Sequence, residues 1–250
     1  MNIIACVKRV PTTEADVKIA ADGANLDTTG IQYMVSFYDE IAVEQAVQTK
    51  EALGGEVTVL SIGPASGSKE IRECLAKGAD KAVVVTDDAW MDRDCRSTAK
   101  ELAAQIAELG ADIVFMGRVA TDRDHAAVGP MTATYLGWAC VTEVVTLELG
   151  VGKGSAKRET EHGLETVEFE LPAVITCNKG LNEPRYAGLK GIMAAKKKPL
   201  VEVAPTDVPN QARVESVELP PARKAGRIVG EGAAAVPALV EALQNEAKVL

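Results

Sequence analysis

The chain has 250 residues, of which 47% are hydrophobic and 25% charged, and its formal net charge is −9. This composition is ordinary for a globular protein and allows one substantial core. The longest apolar runs are far shorter than the roughly 20 residues that cross a bilayer, which excludes membrane insertion, and the negative charge disfavours nucleic acid as the main partner. Residues 1–7 lack the basic region of a secretory signal, which predicts a cytoplasmic protein.

Short apolar runs alternate with longer amphipathic segments over the first two-thirds of the chain. This alternation is typical of parallel strands joined by crossover helices and predicts an α/β fold with an open, mostly parallel sheet and flanking helices. Asp94 is the predicted N-cap of one of these helices. In chain order the predicted elements are strand 2–8, helix 38–53, strand 56–62, helix 68–77, strand 81–86, helix 94–109, strand 112–116 and a helix over 128–136.

The pattern changes after Trp138. Residues 142–149 and 166–171 alternate like antiparallel strands, with a glycine-rich connection at 150–154, and predict an antiparallel hairpin extension. A final apolar strand is predicted at 173–177.

Prolines interrupt regular structure from Leu200 onward, which predicts an extended arm and then a helix at about 233–248. We expect this helix to bury its apolar face, formed by Val236, Leu239, Val240 and Leu243. The sequence thus divides into an α/β domain, residues 1–199, and a C-terminal arm, residues 200–250. An arm without a core of its own is expected to pack on the main domain or on a second chain.

Side-chain catalysis and metal binding receive little support from the sequence. The five cysteines include no C-x-x-C pair and have mostly apolar neighbours, which favours buried thiols over bridges or metal ligands. His125 and His162 are the two histidines, and no nucleophile with a base can be assembled from the motif spacing. We therefore predict no catalytic residue and no metal site.

The glycine-bounded segment 117–129 is the best candidate for binding a small molecule. A strand-to-helix turn of this kind offers backbone N–H groups and a helix dipole to an anion, such as a nucleotide phosphate, although such loops are often only connections. It matches neither the P-loop nor G-x-G-x-x-G. Asp122 and Asp124 are possible metal carboxylates, but we favour a structural role in which one caps the next helix and the other orients Arg123.

Two adjacent aromatic residues, Phe37 and Tyr38, open the first long helix of a chain with only 4% aromatic residues. They can stack on a planar ligand. The alternative, which we favour slightly, is that Phe37 forms a hydrophobic staple and Asp39 caps the helix.

Residues 181–199, here called the docking segment, combine apolar and cationic side chains with turn-forming residues. An apolar patch beside lysines indicates a surface for another protein, and a capped surface helix is the alternative. The candidate docking residues are Tyr186, Leu189, Ile192, Met193, Lys196 and Lys197.

Four segments resemble the beta (small) subunit of electron-transfer flavoproteins: residues 7–10, 37–44, 117–129 and 156–198. The last is the most specific, because Lys157-Arg158, Glu161, Gly163, Leu164-Glu165, Val167 and 172–176 follow the family's signature in order and spacing, and 181–187 matches the segment after it. The resemblance covers nearly the whole chain.

The resemblance implies a Rossmann-like nucleotide-binding domain, an alpha-subunit partner that carries most contacts to one FAD, and a nucleotide, usually AMP, in this subunit. It also implies a subunit without side-chain catalysis of its own. It places Tyr38 beside the flavin. The residues that it assigns to the nucleotide are Ala5, Ser36, Ile62, Val119, Ala120, Asp122, Arg123, Asp124, His125, Ala126, Ala127 and Val128.

This chain departs from the family at Ser36-Phe37, where Asn-Pro is common, and at 126–128, where AMP-binding members often have amide or hydroxyl side chains. Phosphate binding would then rest on backbone N–H groups and Arg123.

The resemblance further implies that Leu189 anchors a dehydrogenase, of the acyl-CoA type, and that electrons pass to a quinone-linked oxidoreductase. An alternative is a flavin-bifurcating subunit with a second FAD in place of AMP. Trp90, Met91 and Arg93 look too bulky for the turn that holds that flavin. A stand-alone nucleotide-binding α/β module is a further alternative, but it leaves the arm without a role.

Overall fold

The computed structural model describes residues 1–223 and 225–250. Within them the chain forms one large sheet, two short ribbons and flanking helices. The strands are β1 (Asn2–Val7), β2 (Arg9–Pro11), β3 (Lys18–Ile19), β4 (Leu26–Asp27), β5 (Tyr33–Val35), β6 (Glu56–Gly63), β7 (Lys81–Thr86), β8 (Ile113–Gly117), β9 (Ala139–Leu149), β10 (Lys153–Thr160), β11 (Gly163–Glu170), β12 (Ala173–Cys177) and β13 (Leu200–Val203). The α-helices are α1 (Phe37–Leu53), α2 (Ser68–Lys77), α3 (Cys95–Leu109), α4 (Val128–Leu136), α5 (Leu189–Ala195) and α6 (Val236–Ala242).

The large sheet has the strand order β11-β10-β9-β12-β8-β1-β6-β7-β13. Its strands are parallel from β9 through β12 to β13, while β9, β10 and β11 form an antiparallel meander at one edge. The predicted fold class is confirmed: an α/β protein with a Rossmann-like, mostly parallel sheet and an antiparallel extension.

Both faces of the sheet are covered, as expected for parallel strands. Ile3 and Ala5 of β1 point into a core shared with α1 and α2, whereas Ile4 and Cys6 point into a second core shared with α3 and α4. Successive residues of a strand face opposite sides, so an uninterrupted apolar run fills both cores.

The chain reverses its direction of winding at the centre of the sheet. β6 and β7 lie in that order on one side of β1. The next strand of the sheet along the chain, β8, lies on the other side of β1. In open α/β sheets a crevice forms at the carboxyl ends of the two strands where this reversal occurs. The ends of β1 and β8 therefore mark the position for a ligand.

The antiparallel extension differs from the prediction. The glycine-rich connection leads from β9 into β10, a strand that the sequence analysis did not recognise, and β11 begins at Gly163. β10 was missed because it lacks apolar alternation: of its residues only Ala156 is buried, and its neighbours Lys157 and Arg158 are charged.

The segment predicted as an arm begins inside the sheet. Leu200–Val203 forms β13 and pairs with β7, so regular structure continues past Leu200. At the far end, α6 is followed by a turn of π-helix, Leu243–Ala247, in place of one continuous helix. Val236, Leu239 and Val240 are exposed and Leu243 is partly exposed, so the described residues do not bury this face as expected.

Among the described residues, no helix is both long enough and apolar enough to cross a bilayer. The cysteines only partly follow the prediction of buried thiols. Cys6, Cys74 and Cys177 are buried and free, whereas Cys95 is partly exposed and Cys140 is exposed at the start of β9.

Candidate functional site

A cleft opens at the carboxyl ends of β1 and β8, where the winding of the sheet reverses. The empty space within it, including the part open to solvent, is about 1010 Å³. One wall is the segment between β8 and α4, and the other is the segment between β7 and α3. Nine of the residues proposed for the nucleotide line it: Ile62, Val119, Ala120, Asp122, Arg123, His125, Ala126, Ala127 and Val128.

Four of the proposed residues lie outside the lining. Ala5 is fully buried in β1, one residue before Cys6, which does line the cleft. Ser36 is also fully buried, and its Oγ accepts a hydrogen bond of 3.3 Å from the backbone N–H of Thr121. Asp124 is exposed and adopts a left-handed backbone conformation with a φ of 53°. Tyr38 packs edge-on against Phe37.

The residues proposed for the nucleotide leave out two parts of the lining. The end of β1 contributes Cys6, Val7 and Lys8, and the opposite wall contributes side chains from the β7–α3 connection and from α3. The first group could have been found, because residues that follow the first parallel strand meet those that follow β8. The members of the second group are Trp90, Met91, Arg93, Cys95, Thr98 and Leu102.

Asp39 ties together the two strand ends on which the cleft is built. One carboxylate oxygen accepts a 2.7 Å hydrogen bond from the N–H of Lys8, and the other accepts a 3.0 Å hydrogen bond from the N–H of Gly117. Gly117 is needed for this approach, because a Cβ there would lie 2.4 Å from Asp39 Oδ1. The expectation that Asp39 caps α1 is therefore wrong, since Ser36 occupies the N-cap and Asp39 binds the strand ends.

Burial raises the pKa of Asp39 to about 7, although the two backbone N–H groups act in the opposite direction. A carboxyl group in an unfolded chain titrates near pH 4, so between about pH 4 and pH 7 the folded protein holds a proton that the unfolded chain has released. The free energy of unfolding therefore falls as the pH rises through this window, by an amount on the order of 4 kcal/mol for a shift of about three units.

Asp39→Asn removes this titration. We expect the difference in the free energy of unfolding, variant minus wild type, to increase from pH 4 to pH 7. The loss of one hydrogen-bond acceptor adds a constant to this difference and does not change its slope with pH. Urea unfolding at several pH values measures this difference. Asp16→Asn, at a side chain that is 84% exposed, is the control and should give a curve parallel to wild type. If the curve for Asp39→Asn is also parallel to that of wild type, the pKa of Asp39 is not raised.

The acidic residues of the β8–α4 segment do not have the structural roles expected of them. Asp122 pairs with Lys8 Nζ at 2.6 Å, and α4 has Ala127 at its N-cap with no side-chain cap. Arg123 is held by neither aspartate: it reaches across the cleft and donates to the carbonyl oxygens of Met91 and Arg93. In the described residues no group of three or more His, Cys, Asp or Glu side chains is arranged to hold a metal ion.

A second contact spans the mouth of the cleft. Cys95 Sγ lies 3.0 Å from His125 Nδ1. Burial raises the pKa of the Cys95 thiol despite the nearby positive charge of Arg123. This shift disfavours the thiolate, which is the reactive form of a cysteine side chain.

The docking segment places a short helix, α5, on the surface of α2. Gly191 allows this close packing, because a Cβ there would meet the carbonyl oxygen of Ala76 at 2.3 Å. Leu189 is 78% exposed, and Tyr186 is 97% exposed. Ile192, Met193, Lys196 and Lys197 are also exposed.

Lys198, which follows Lys196 and Lys197 in the sequence, faces inward. Its Nζ donates to the carbonyl oxygens of Leu75 and Ala79 at 2.9 and 2.6 Å, and burial lowers its pKa. It therefore fastens the docking segment to the end of α2 and does not contribute to the cationic border of the patch.

Arg185 fastens the preceding loop to α1. Its guanidinium donates to Glu44 through Nε and Nη2, both at 2.9 Å, and to Glu51 at 2.6 Å. Its backbone N–H also donates to Glu44 at 3.1 Å. The docking segment is thus held at both ends, by Arg185 on α1 and by Lys198 on α2.

A partly exposed aromatic pair lies beside the end of β8. The guanidinium of Arg118 is 5.3 Å from the ring of Tyr38, and it also pairs with Glu143 at 2.7 Å. Phe37 is 41% exposed, and Tyr38 is half-buried against the core. This surface remains available for contact with a planar group.

Comparison with known proteins assigns the chain to a family. The model of the electron transfer flavoprotein domain matches residues 24–208. The chain is 38% identical over 257 residues to the electron transfer flavoprotein subunit beta of Bradyrhizobium diazoefficiens, and 34% identical over 259 residues to that of Bacillus subtilis. It is 37% identical over 257 residues to the mitochondrial subunit beta of Oryza sativa subsp. indica. Each alignment covers 100% of both chains.

This chain belongs to the electron transfer flavoprotein family. Its full-length relatives are beta subunits, which confirms the resemblance found in the sequence. Membership implies a role in electron transfer, a flavin in the assembled flavoprotein and an alpha subunit as partner. The cleft and the docking segment described above are the parts of this electron transfer flavoprotein subunit whose roles can now be proposed.

Proposed function

We propose that the chain is the beta subunit of a heterodimeric electron-transfer flavoprotein that binds AMP in the cleft and helps to hold the FAD of its alpha subunit. It docks a dehydrogenase, of the acyl-CoA type, through the docking segment, and the flavin passes the electrons to a quinone-linked oxidoreductase. The chain itself supplies binding surfaces and no catalytic side chain. The cleft at the reversal point of the sheet is the observation that carries this proposal.

The lining of the cleft suits an anionic nucleotide. Four of its charged residues are basic (Lys8, Arg93, Arg118 and Arg123) and two are acidic (Asp39 and Asp122), in a chain whose formal net charge is −9. The amino end of α4 opens onto the same cleft, and helix N-termini favour phosphate. Apolar side chains such as Ile62, Leu102 and Met116 provide surface for a base.

The aromatic pair supports a role beside the flavin. Tyr38 and Phe37 lie at the start of α1, next to the end of β8, and the nearby Arg118 is a cation that a reduced, anionic flavin would attract. Because the relatives are subunits of a flavoprotein, we assign this surface to the edge of the alpha subunit's FAD.

The docking segment supports recognition of a dehydrogenase. An exposed leucine on a rigidly held helix is a compact apolar anchor, and small apolar anchors in otherwise polar contacts suit complexes that must dissociate quickly. Lys190, Lys196 and Lys197 border the patch and would steer an acidic partner.

The exposed arm supports association with the alpha subunit. Beyond β13 the arm exposes apolar side chains that the described residues do not cover, including Ile228 at 87% exposed and Val236, Leu239 and Val240 near its end. A stand-alone nucleotide-binding module would gain nothing from exposing them.

A subunit that holds a second FAD is the alternative for the cleft. Trp90, Met91 and Arg93 line one wall, and the space they take would have to be cleared for the larger cofactor. We therefore favour AMP.

The test is to co-express the chain with its alpha subunit, purify the complex and count the nucleotides released on denaturation. We expect a yellow heterodimer with one FAD and one AMP. Two FAD and no AMP would establish the bifurcating alternative. A stable colourless monomer that does not associate with the alpha subunit would contradict the heterodimer proposal.

A further inference from the structure

Arg93 lies in the wall of the cleft and has a donor without an acceptor. Its side chain is nine-tenths buried. Nε donates to Asp87, and Nη2 is 4.0 Å from Glu101. Nη1 is buried and makes no hydrogen bond to any of the described residues. A buried charged donor in this state is costly, because nothing replaces the water that it lost.

The guanidinium of Arg93 is held by two acidic side chains, Asp87 and Glu101. Glu101 is fully buried and accepts a 2.8 Å hydrogen bond from the N–H of Thr206, so it cannot easily move away. With Asp87 bound to Nε and Glu101 at ion-pair distance from Nη2, the guanidinium lies between two carboxylates, and its unpaired donor is left for an acceptor from outside the described residues.

The other two arginines of the cleft are differently engaged. Arg123 uses Nη1 and Nη2 on carbonyl oxygens of the opposite wall. Arg118 is directed toward Tyr38 and Glu143. Arg118 Nε is also buried without a partner among the described residues, but Arg93 is the arginine of the β7–α3 wall and the one of the three whose buried, unpaired nitrogen is a terminal Nη.

We propose that Arg93 is the residue through which this cleft distinguishes a phosphorylated nucleotide from an uncharged nucleoside, its Nη1 donating to a phosphate oxygen. This inference rests on the proposed nucleotide function of the cleft and deepens it. An anionic acceptor is favoured over a neutral one because the lining has an excess of basic groups and because a guanidinium binds phosphate more strongly than it binds a carbonyl or a hydroxyl.

The test is calorimetric titration of the nucleotide-depleted heterodimer with AMP and, separately, with adenosine. We expect Arg93→Gln to weaken AMP binding about 10- to 100-fold, the loss of one charge-assisted hydrogen bond, and to leave adenosine binding within about 2-fold. Arg93→Lys keeps the positive charge but lacks the planar set of guanidinium donors. Its affinity for AMP should lie between that of Arg93→Gln and that of wild type.

Lys100→Gln is the matched control, because it removes one positive charge from an exposed position of α3 and should leave both affinities unchanged. Thermal unfolding of each heterodimer without nucleotide separates folding defects from binding defects. If Arg93→Gln weakens AMP and adenosine equally, or leaves AMP unaffected, the phosphate assignment is overturned. A wild-type heterodimer that binds neither compound would overturn the nucleotide function itself and this inference with it.

Discussion

Leu189→Ala is expected to raise the KM of the dehydrogenase for the assembled flavoprotein about 10- to 100-fold, with FAD and AMP per heterodimer unchanged. The side chain is 78% exposed, so its truncation removes little from the fold. If it enters an apolar pocket on the dehydrogenase, the lost burial weakens the complex by about 1.5–3 kcal/mol. Steady-state electron transfer at varied flavoprotein concentration measures the effect.

Leu164→Ala is the matched control. Leu164 is also a strongly exposed leucine, 66% exposed, but it lies on β11, at the edge of the sheet opposite β13 and far from α5. Its truncation should leave the KM unchanged. Equal effects of the two substitutions, or loss of flavin with Leu189→Ala, would remove Leu189 from the docking role.

Arg185→Ala is expected to lower the free energy of unfolding by about 1.5–3 kcal/mol and also to raise the KM for the dehydrogenase. Glu44 is 4% exposed, and removal of Arg185 leaves this buried carboxylate without its main partner. The loop before α5 would lose its attachment to α1, so the docking residues would be less rigidly presented. Urea unfolding and the same kinetic assay measure the two effects.

The pH dependence of this loss gives a further check. Burial acts to raise the pKa of Glu44, but the hydrogen bonds from Arg185 and Gln48 outweigh it and lower the pKa below 4.5. The pair therefore stabilises the protein above about pH 4.5, and the contribution is lost as the pH falls through the folded-state pKa. The difference between wild type and Arg185→Ala should shrink below that pH.

Glu51→Gln is the control for the exposed half of the same ion pair. Glu51 is about half exposed, so solvent screens its attraction to Arg185, and its substitution should cost less than about 1 kcal/mol. A loss as large as that of Arg185→Ala would show that Glu44 does not carry the effect.

Local signals in the sequence determined much of the fold. α2, β7 and β12 begin and end at the predicted residues, because a glycine follows α2 and a proline precedes β12. Asp94 caps α3 as predicted, with its side chain accepting a 2.6 Å hydrogen bond from the N–H of Ser97. Each of these features depends on residues within a few positions of one another.

Features that depend on distant residues were not predictable in the same way. The carboxylate of Asp39 sits in the first turn of a helix, where a capping role is the usual expectation, yet its partners are Lys8 and Gly117. The turn of Trp90, Met91 and Arg93 was considered from the sequence only against a second FAD, and its place in the same cleft as segment 117–129 depends on how α3 packs against the sheet. β10 carries too few buried residues to show the period of a strand.

The position of β13 has a consequence for how the chain can be shortened. Leu200–Val203 covers the edge of β7, whose Val83, Val84 and Val85 are buried. A chain ending at residue 199 would expose the unpaired N–H and C=O groups of an apolar strand, which is a template for aggregation. The smallest fragment that protects its own sheet edge therefore extends through Val203.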